Sequence, residues 1–332
     1  MLKHYESNIY IILYVCKRLC KKTMTKIILN TIKVLVTVGG IVYIFHKIPF
    51  FDAISNWNKS ALPWLAVILF LTVILMAIQA NRWRGLLLDD GKKVKFRTFY
   101  AYIALGYFFN NLLPSGFGGD AVKTIAFGKR FGNTANSVAA IVISRVMGLL
   151  AMFLSFFAAL PWVASHYDIP TIYTATVSII AILAIAVIFG GLFLDKVNIP
   201  TSLESRFPSL KKLQDAFAIY RSHKKAFMLS GLDSIWLQLV TIVIHYAYFR
   251  AMGVEVDIAI ITVFTTIMVT FTMLPISING IGIRENVQVS LYTGLLGLPA
   301  DVVLASTLLS YLPLLFQALQ GGIVFATLKG RK

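Results

Sequence analysis

Long runs of apolar residues alternate with short basic clusters along this chain. The runs cover residues 27–45, 61–80, 98–113, 135–162, 172–194, 226–249, 258–274, 283–298 and 302–328. They are continuous rather than alternating, which predicts helices that cross a membrane and argues against a β-barrel. Lys33 breaks the first run near enough to an end to snorkel. Two stretches do not fit a simple crossing. Residues 98–113 precede Pro114 and reach only about 24 Å at 1.5 Å per residue, short of a hydrocarbon core of roughly 30 Å. Residues 258–298 are interrupted by Pro275, Asn279, Gly280 and Gly282, leaving two short halves.

The basic clusters set the orientation. Residues 1–26 carry six Lys or Arg, residues 82–97 six, residues 195–225 seven and residues 329–332 three. The intervening loops 46–60, 163–171 and 250–257 hold only Lys47, Lys59 and Arg250. Cytoplasmic loops concentrate Lys and Arg. A full crossing by 98–113 would send the seven cations of 195–225 outside, whereas a re-entrant segment keeps every basic loop inside. The expected architecture is therefore all-α: six full spans, two re-entrant broken helices of opposite orientation, and both termini in the cytoplasm. For 258–298, loop charge allows either two crossings or one hairpin, and the shortness of its halves favours the hairpin. Residues 209–225 place Leu210, Leu213, Phe217 and Tyr220 at helical spacing among Lys and Arg. That stripe suits an interfacial amphipathic helix or an ordinary solvated one.

Composition narrows the function. Of 332 residues, 58% are apolar and 14% charged, which excludes a soluble enzyme fold. The formal charge of +17 reads as loops facing anionic lipid rather than as nucleic-acid binding. Cys16 and Cys20 are too few for a disulfide framework or metal cluster. No metal, other cofactor, phosphate loop or nucleophile triad is expected. Met24 opens a more usual beginning, so residues 1–23 read as an upstream extension of a transmembrane unit over 27–328.

The two odd stretches resemble one another. Residues 108–120 read F-F-N-N-L-L-P-S-G-F-G-G-D and residues 269–282 read V-T-F-T-M-L-P-I-S-I-N-G-I-G. In each, a short apolar helix ends in Leu-Pro and a Gly-rich turn, and charge follows: Asp120 and Lys123, then Arg284 and Glu285. Pro114 and Pro275 are the helix breaks. One such interruption alone would read as a kink. Two, in opposed halves, read as unwound backbone lining a cavity, where helix N-termini after Gly118–Gly119 and Gly280–Gly282 favour an anionic headgroup. Arg145, some ten residues into its run, requires an acid, water or a phosphate as partner. It reads equally as a headgroup ligand or as the ion-pair partner of Asp120 or Asp233. Arg284 is the second candidate for phosphate, with Glu285 and Asp120 as counter-ions and Asp233 as a further acid. Neighbours on a helix do not face each other, so Arg284 and Glu285 should each have another partner. Glu285 also suits helix capping. Asn110, Asn111 and Asn279 could line a polar path or serve as helix-packing glue.

In their order and spacing, N-N-L-L-P-S-G-F-G-G-D (110–120), S-R-V-M-G-L (144–149) and L-P-I-S-I-N-G-I-G-I-R-E (274–285) resemble the flippase-like transmembrane domain of lysylphosphatidylglycerol synthases. That family more often has Gly where Asn279 stands. The resemblance implies a membrane domain that moves aminoacylated phosphatidylglycerol between leaflets, beside a separate soluble domain that makes the lipid from aminoacyl-tRNA. This chain looks like the transmembrane half alone. The expected function is therefore a lipid translocase or lipid-binding protein of the cell membrane. Its cargo would be an anionic or aminoacylated phospholipid or a polyprenyl-linked glycolipid, with a lipid-synthesising enzyme as a separate partner. The rivals are a lipid-modifying transferase and a small-solute transporter.

Overall fold

The computed structural model describes residues 61–112, 118–131, 134–193, 223–274 and 280–329, together with 218, 220 and 277. Residues 1–60, Pro114, Pro275, Asn279 and most of the expected amphipathic stretch 209–225 lie outside these. Among the described residues every regular element is helical. In chain order they are α1 (Ala61–Leu86), a short α2 (Leu88–Lys92), α3 (Phe96–Leu112), α4 (Gly118–Phe131), α5 (Thr134–His166), α6 (Thr171–Phe193), α7 (Lys224–Ala251) and α8 (Ile258–Met273). Then α9 (Ile283–Gln288) continues through a π turn, Val289–Thr293, into α10 (Gly294–Leu296), followed by α11 (Ala300–Leu309) and α12 (Tyr311–Lys329).

Four of the helical stretches are long and apolar enough to cross a membrane: Ala61–Leu86, Asn136–His166, Lys224–Ala251 and Ala300–Thr327. The same helices expose large apolar side chains, among them Leu62, Phe70, Trp236 and Leu315, at 60–70% of their full area. Water would penalise such a surface, whereas lipid accepts it. The chain is a multi-pass helical membrane protein.

Helices α1 and α7 pack antiparallel against one another along their length. At one end Trp64 meets Tyr246, and at the other Asn81 donates to Asp233 and Arg82 to Ser234. The buried interior divides accordingly. At the end where α1 finishes, Trp83, Leu86, Phe99, Tyr102, Phe127 and Ile143 pack together, with Tyr220 donating its hydroxyl to the Leu86 carbonyl. Toward the opposite end Phe153, Phe156, Phe249, Phe264, Tyr292 and Val303 form a second cluster.

Each short stretch flagged by the sequence forms an antiparallel helical hairpin. In the first, Phe99 and Tyr102 of α3 pack on Phe127 of α4, and Gly106 lies against Gly119. In the second, Phe264 of α8 packs on Tyr292, and Thr272 lies against Gly280. The open end of the first hairpin belongs to the cluster around Trp83, that of the second to the cluster around Phe264. The two therefore enter from opposite ends of the bundle.

Two details differ from the sequence reading. The second apolar run ends at Ala80, where charges begin, yet α1 continues through Arg82 and Arg84 to Leu86. The last run forms one apolar stretch long enough to cross, Ala300–Thr327, and a turn at Ser310 divides it into α11 and α12. Pro313 explains the break, because it has no N–H to offer the carbonyl of Leu309 one turn earlier.

Candidate functional site

The first hairpin closes because two glycines let its helices touch. A Cβ on Gly119 would stand 1.9 Å from the Gly106 carbonyl oxygen and 2.7 Å from the Asn110 side chain. With no side chain there, the Gly119 N–H donates to Asn110 Oδ1 at 2.7 Å. Asn110 thus satisfies one of the orphan donors that open α4. Asn111 reaches the other way, to its own helix at Tyr107 and to the carbonyl of Leu314.

One residue after that turn, Asp120 sits between two cations. Lys123 Nζ lies 2.6 Å from its Oδ1, and Arg145 of α5 donates from Nε to its Oδ2 at 2.6 Å and also reaches it through Nη2. Asp120 and Lys123 are mostly buried, Arg145 less so. Of the two acids considered for Arg145, the partner is Asp120. Asp233 is instead met by Asn81.

These groups line a cavity of about 240 Å³ walled by Gln79, Arg82, Trp83, Tyr107, Asn110, Asp120, Lys123, Ser144 and Arg145, among others. Tyr107 accepts a hydrogen bond from Gln79 there, and Lys123 stands over the Trp83 ring. Arg82, Ser144 and Arg145 also line a second cavity of about 370 Å³ that leads on between α5, α7 and α8 past Gln238, Thr241, Thr265 and Thr266. Toward the other side, Arg82 and Asp233 border a groove of about 730 Å³ at the bundle end, with Arg84, Lys92, Lys224 and Lys225. Asp89 on its rim is held below the usual carboxylate range by its hydrogen bond to Lys92 and that cation's charge.

Arg284 is not among the residues around either cavity that holds Arg145. It lies at the tip of the second hairpin, where Gly280 and Gly282 take φ of +76° and +84°, a region that favours glycine. Its Nη1 donates to Ser310 and its guanidinium stacks over Tyr311. Glu285 accepts from the Gly282 N–H at 2.7 Å and from the Tyr311 hydroxyl at 2.5 Å. So Arg284 and Glu285 do have separate partners, and Glu285 does close its own helix start. The structure brings Asn110, Gly118, Gly119, Asp120 and Arg145 to one hairpin tip and Gly280, Gly282, Arg284 and Glu285 to the other.

Sequence reasoning missed Arg82, Tyr107 and Tyr311. Arg82 reads as a loop cation because it is the first charge after an apolar run. Its spacing from Gln79, one turn earlier on the same face, was the available signal.

A family model described as "Lysylphosphatidylglycerol synthase TM region" matches residues 30–319. No curated protein and no solved structure matches the chain.

Proposed function

The chain belongs to the family of lysylphosphatidylglycerol synthase transmembrane regions, and from that premise we propose that it binds and translocates a lipid with a charged headgroup across the cell membrane. The observation that carries this reading is the ion-lined cavity beside the tip of the α3–α4 hairpin. Ionisable side chains at membrane depth are costly unless they serve a polar path. Here they continue, through Arg82, from a basic groove at one bundle end to a second cavity in the interior. Oppositely entering broken helices are the arrangement used by alternating-access transporters. In this reading the basic end faces the cytoplasm, the headgroup travels through the polar cavities, and the acyl chains stay in lipid. The cargo classes are an anionic or aminoacylated phospholipid and a polyprenyl-linked lipid.

The test is headgroup translocation in proteoliposomes. Fluorophore-labelled phosphatidylglycerol on the inner leaflet should reach the outer leaflet, where a membrane-impermeant quencher reads it. Wild-type protein should accelerate this at least about tenfold over protein-free vesicles, as for an interaction of 1.4 kcal/mol or more in the rate-limiting step. Asp120→Asn should slow it. Translocation no faster than in protein-free vesicles, for phosphatidylglycerol and for a polyprenyl phosphate alike, would overturn the reading.

A further inference from the structure

Arg82 stands at the junction of the three cavities, and its surroundings specify the charge of what passes. Its Nη1 donates to Ser234 at 2.8 Å, while its Nε is buried with no hydrogen-bond partner. Buried donors in folded proteins are nearly always paired. An unpaired guanidinium nitrogen beside a cavity therefore marks the place of a missing acceptor. Among the described residues lining the 240 Å³ cavity, the cations are Arg82, Lys123 and Arg145, and the only carboxylate is Asp120. Asp120 is already engaged by Lys123 and Arg145. The wall thus carries two positive charges in excess.

We propose that the occupant of this cavity is a dianionic phosphate, a phosphate monoester or a pyrophosphate, bound by Arg82, Lys123 and Arg145. The assignment rests on the lipid-handling reading above and narrows its cargo. A phosphodiester headgroup with one negative charge would leave one cation uncompensated. An aminoacylated headgroup would add a positive charge to a wall that is already positive, and like charges brought together in low dielectric repel strongly. Two negative charges neutralise the side chains that wall this cavity; Asp233, which acts on Arg82 from the groove side, stands outside that wall. The volume agrees, since about 240 Å³ is many times the space that one water needs and leaves room for a phosphoryl group. Arg84, Lys224 and Lys225 of the adjoining groove draw the same charge toward Arg82.

The experiment measures binding to the full chain in nanodiscs of phosphatidylcholine at about pH 8.5, well above the second phosphate pKa of roughly 6. Four probes are compared: phosphatidic acid, phosphatidylglycerol, a trimethylammonium lipid and inorganic pyrophosphate. Phosphatidic acid should bind about tenfold or more tighter than phosphatidylglycerol, as one added charge-assisted contact would give. Arg82→Gln should reduce that preference to about twofold or less, and Arg82→Lys, which keeps the charge and loses the planar fork, should retain part of it. Should Arg82→Gln fail to fold, the Arg82→Lys measurement decides alone, and an unchanged preference there overturns the role of Arg82. Equal binding of the two anionic lipids, or tighter binding of the cationic lipid, would overturn the proposal and leave lipid handling standing. Binding of pyrophosphate, a more highly charged anion than phosphatidic acid, with no lipid bound would keep the phosphate chemistry and overturn the lipid reading. No binding by any probe would overturn both.

Discussion

At the scale of single residues, the central unit is a carboxylate shared by two cations. Removing Arg145 leaves Asp120 with Lys123 alone, so Arg145→Gln should cost about 1–3 kcal/mol, less than breaking a fully isolated buried pair. Removing the acid is a different lesion: Asp120→Asn leaves Lys123 and Arg145 facing one another. The double variant Arg145→Gln with Asp120→Asn should be more stable than the sum of the two single losses predicts, as read by melting in detergent. Additive losses would show that the pair is not coupled. A backbone counterpart lies in the second hairpin. Gly282 has φ of +84°, and Gly282→Ala should lower stability by about 1–2 kcal/mol on conformation alone. Gly119→Ala should do worse for a steric reason, because its methyl would overlap the Gly106 carbonyl. That variant should lose ordered α3–α4 packing, seen as faster amide exchange over 118–131.

At the scale of elements, much was legible and some was not. Long apolar runs with at most one charge located α1, α5, α6 and α7, because hydrocarbon leaves no other environment for such stretches. The Leu-Pro and glycine repeat located both hairpins, because proline and glycine interrupt a helix wherever they stand. The end of α1 was misplaced because a charge does not terminate a helix. Arg82 and Arg84 extend it while their long side chains find polar groups in the groove. The turn at Ser310 inside the last span leaves no mark in the sequence for the opposite reason: Pro313 lies within an apolar run, where hydropathy registers nothing. The partner of Arg145 could not be chosen between Asp120 and Asp233 from sequence, since spacing along the chain does not say which acid packs against α5. One element contact can be tested directly. Tyr311 hydrogen-bonds to Glu285, joining α12 to the second hairpin. Tyr311→Phe should cost about 1.5–3 kcal/mol, the range for a hydrogen bond to a charged group. A double-mutant cycle with Glu285→Gln should recover most of that as coupling. A cost below about 0.5 kcal/mol would detach the two elements energetically.

At the scale of the whole molecule, the basic groove and the end of α5 lie at opposite ends of the bundle. Single cysteines placed at Asp89 and Ser165, both exposed, should react with a membrane-impermeant maleimide from opposite sides, Asp89→Cys from the cytoplasm and Ser165→Cys from outside. Labelling of both from the same side would refute the orientation derived from loop charges. The same layout explains why the two candidate arginines are not interchangeable. Arg145 lines both inner cavities, and Arg284 braces a hairpin against the last helix. Loss of Arg145 should therefore act first on translocation rate, and loss of Arg284 first on melting temperature.

The kink between α11 and α12 carries one more consequence. Asn111, at the tip of the first hairpin, holds the carbonyl of Leu314, while Arg284 and Glu285, at the tip of the second, hold Ser310 and Tyr311. Structures entering from opposite ends are thus moored to the same five residues. A displacement of either tip strains the mooring of the other, and free-energy linkage makes that influence mutual. Filling one end should be sensed at the far end with no wire but this bend. In Ser310→Ala, phosphatidic acid should still protect the amides of 118–131 from exchange, but its effect on those of 283–288 should fade.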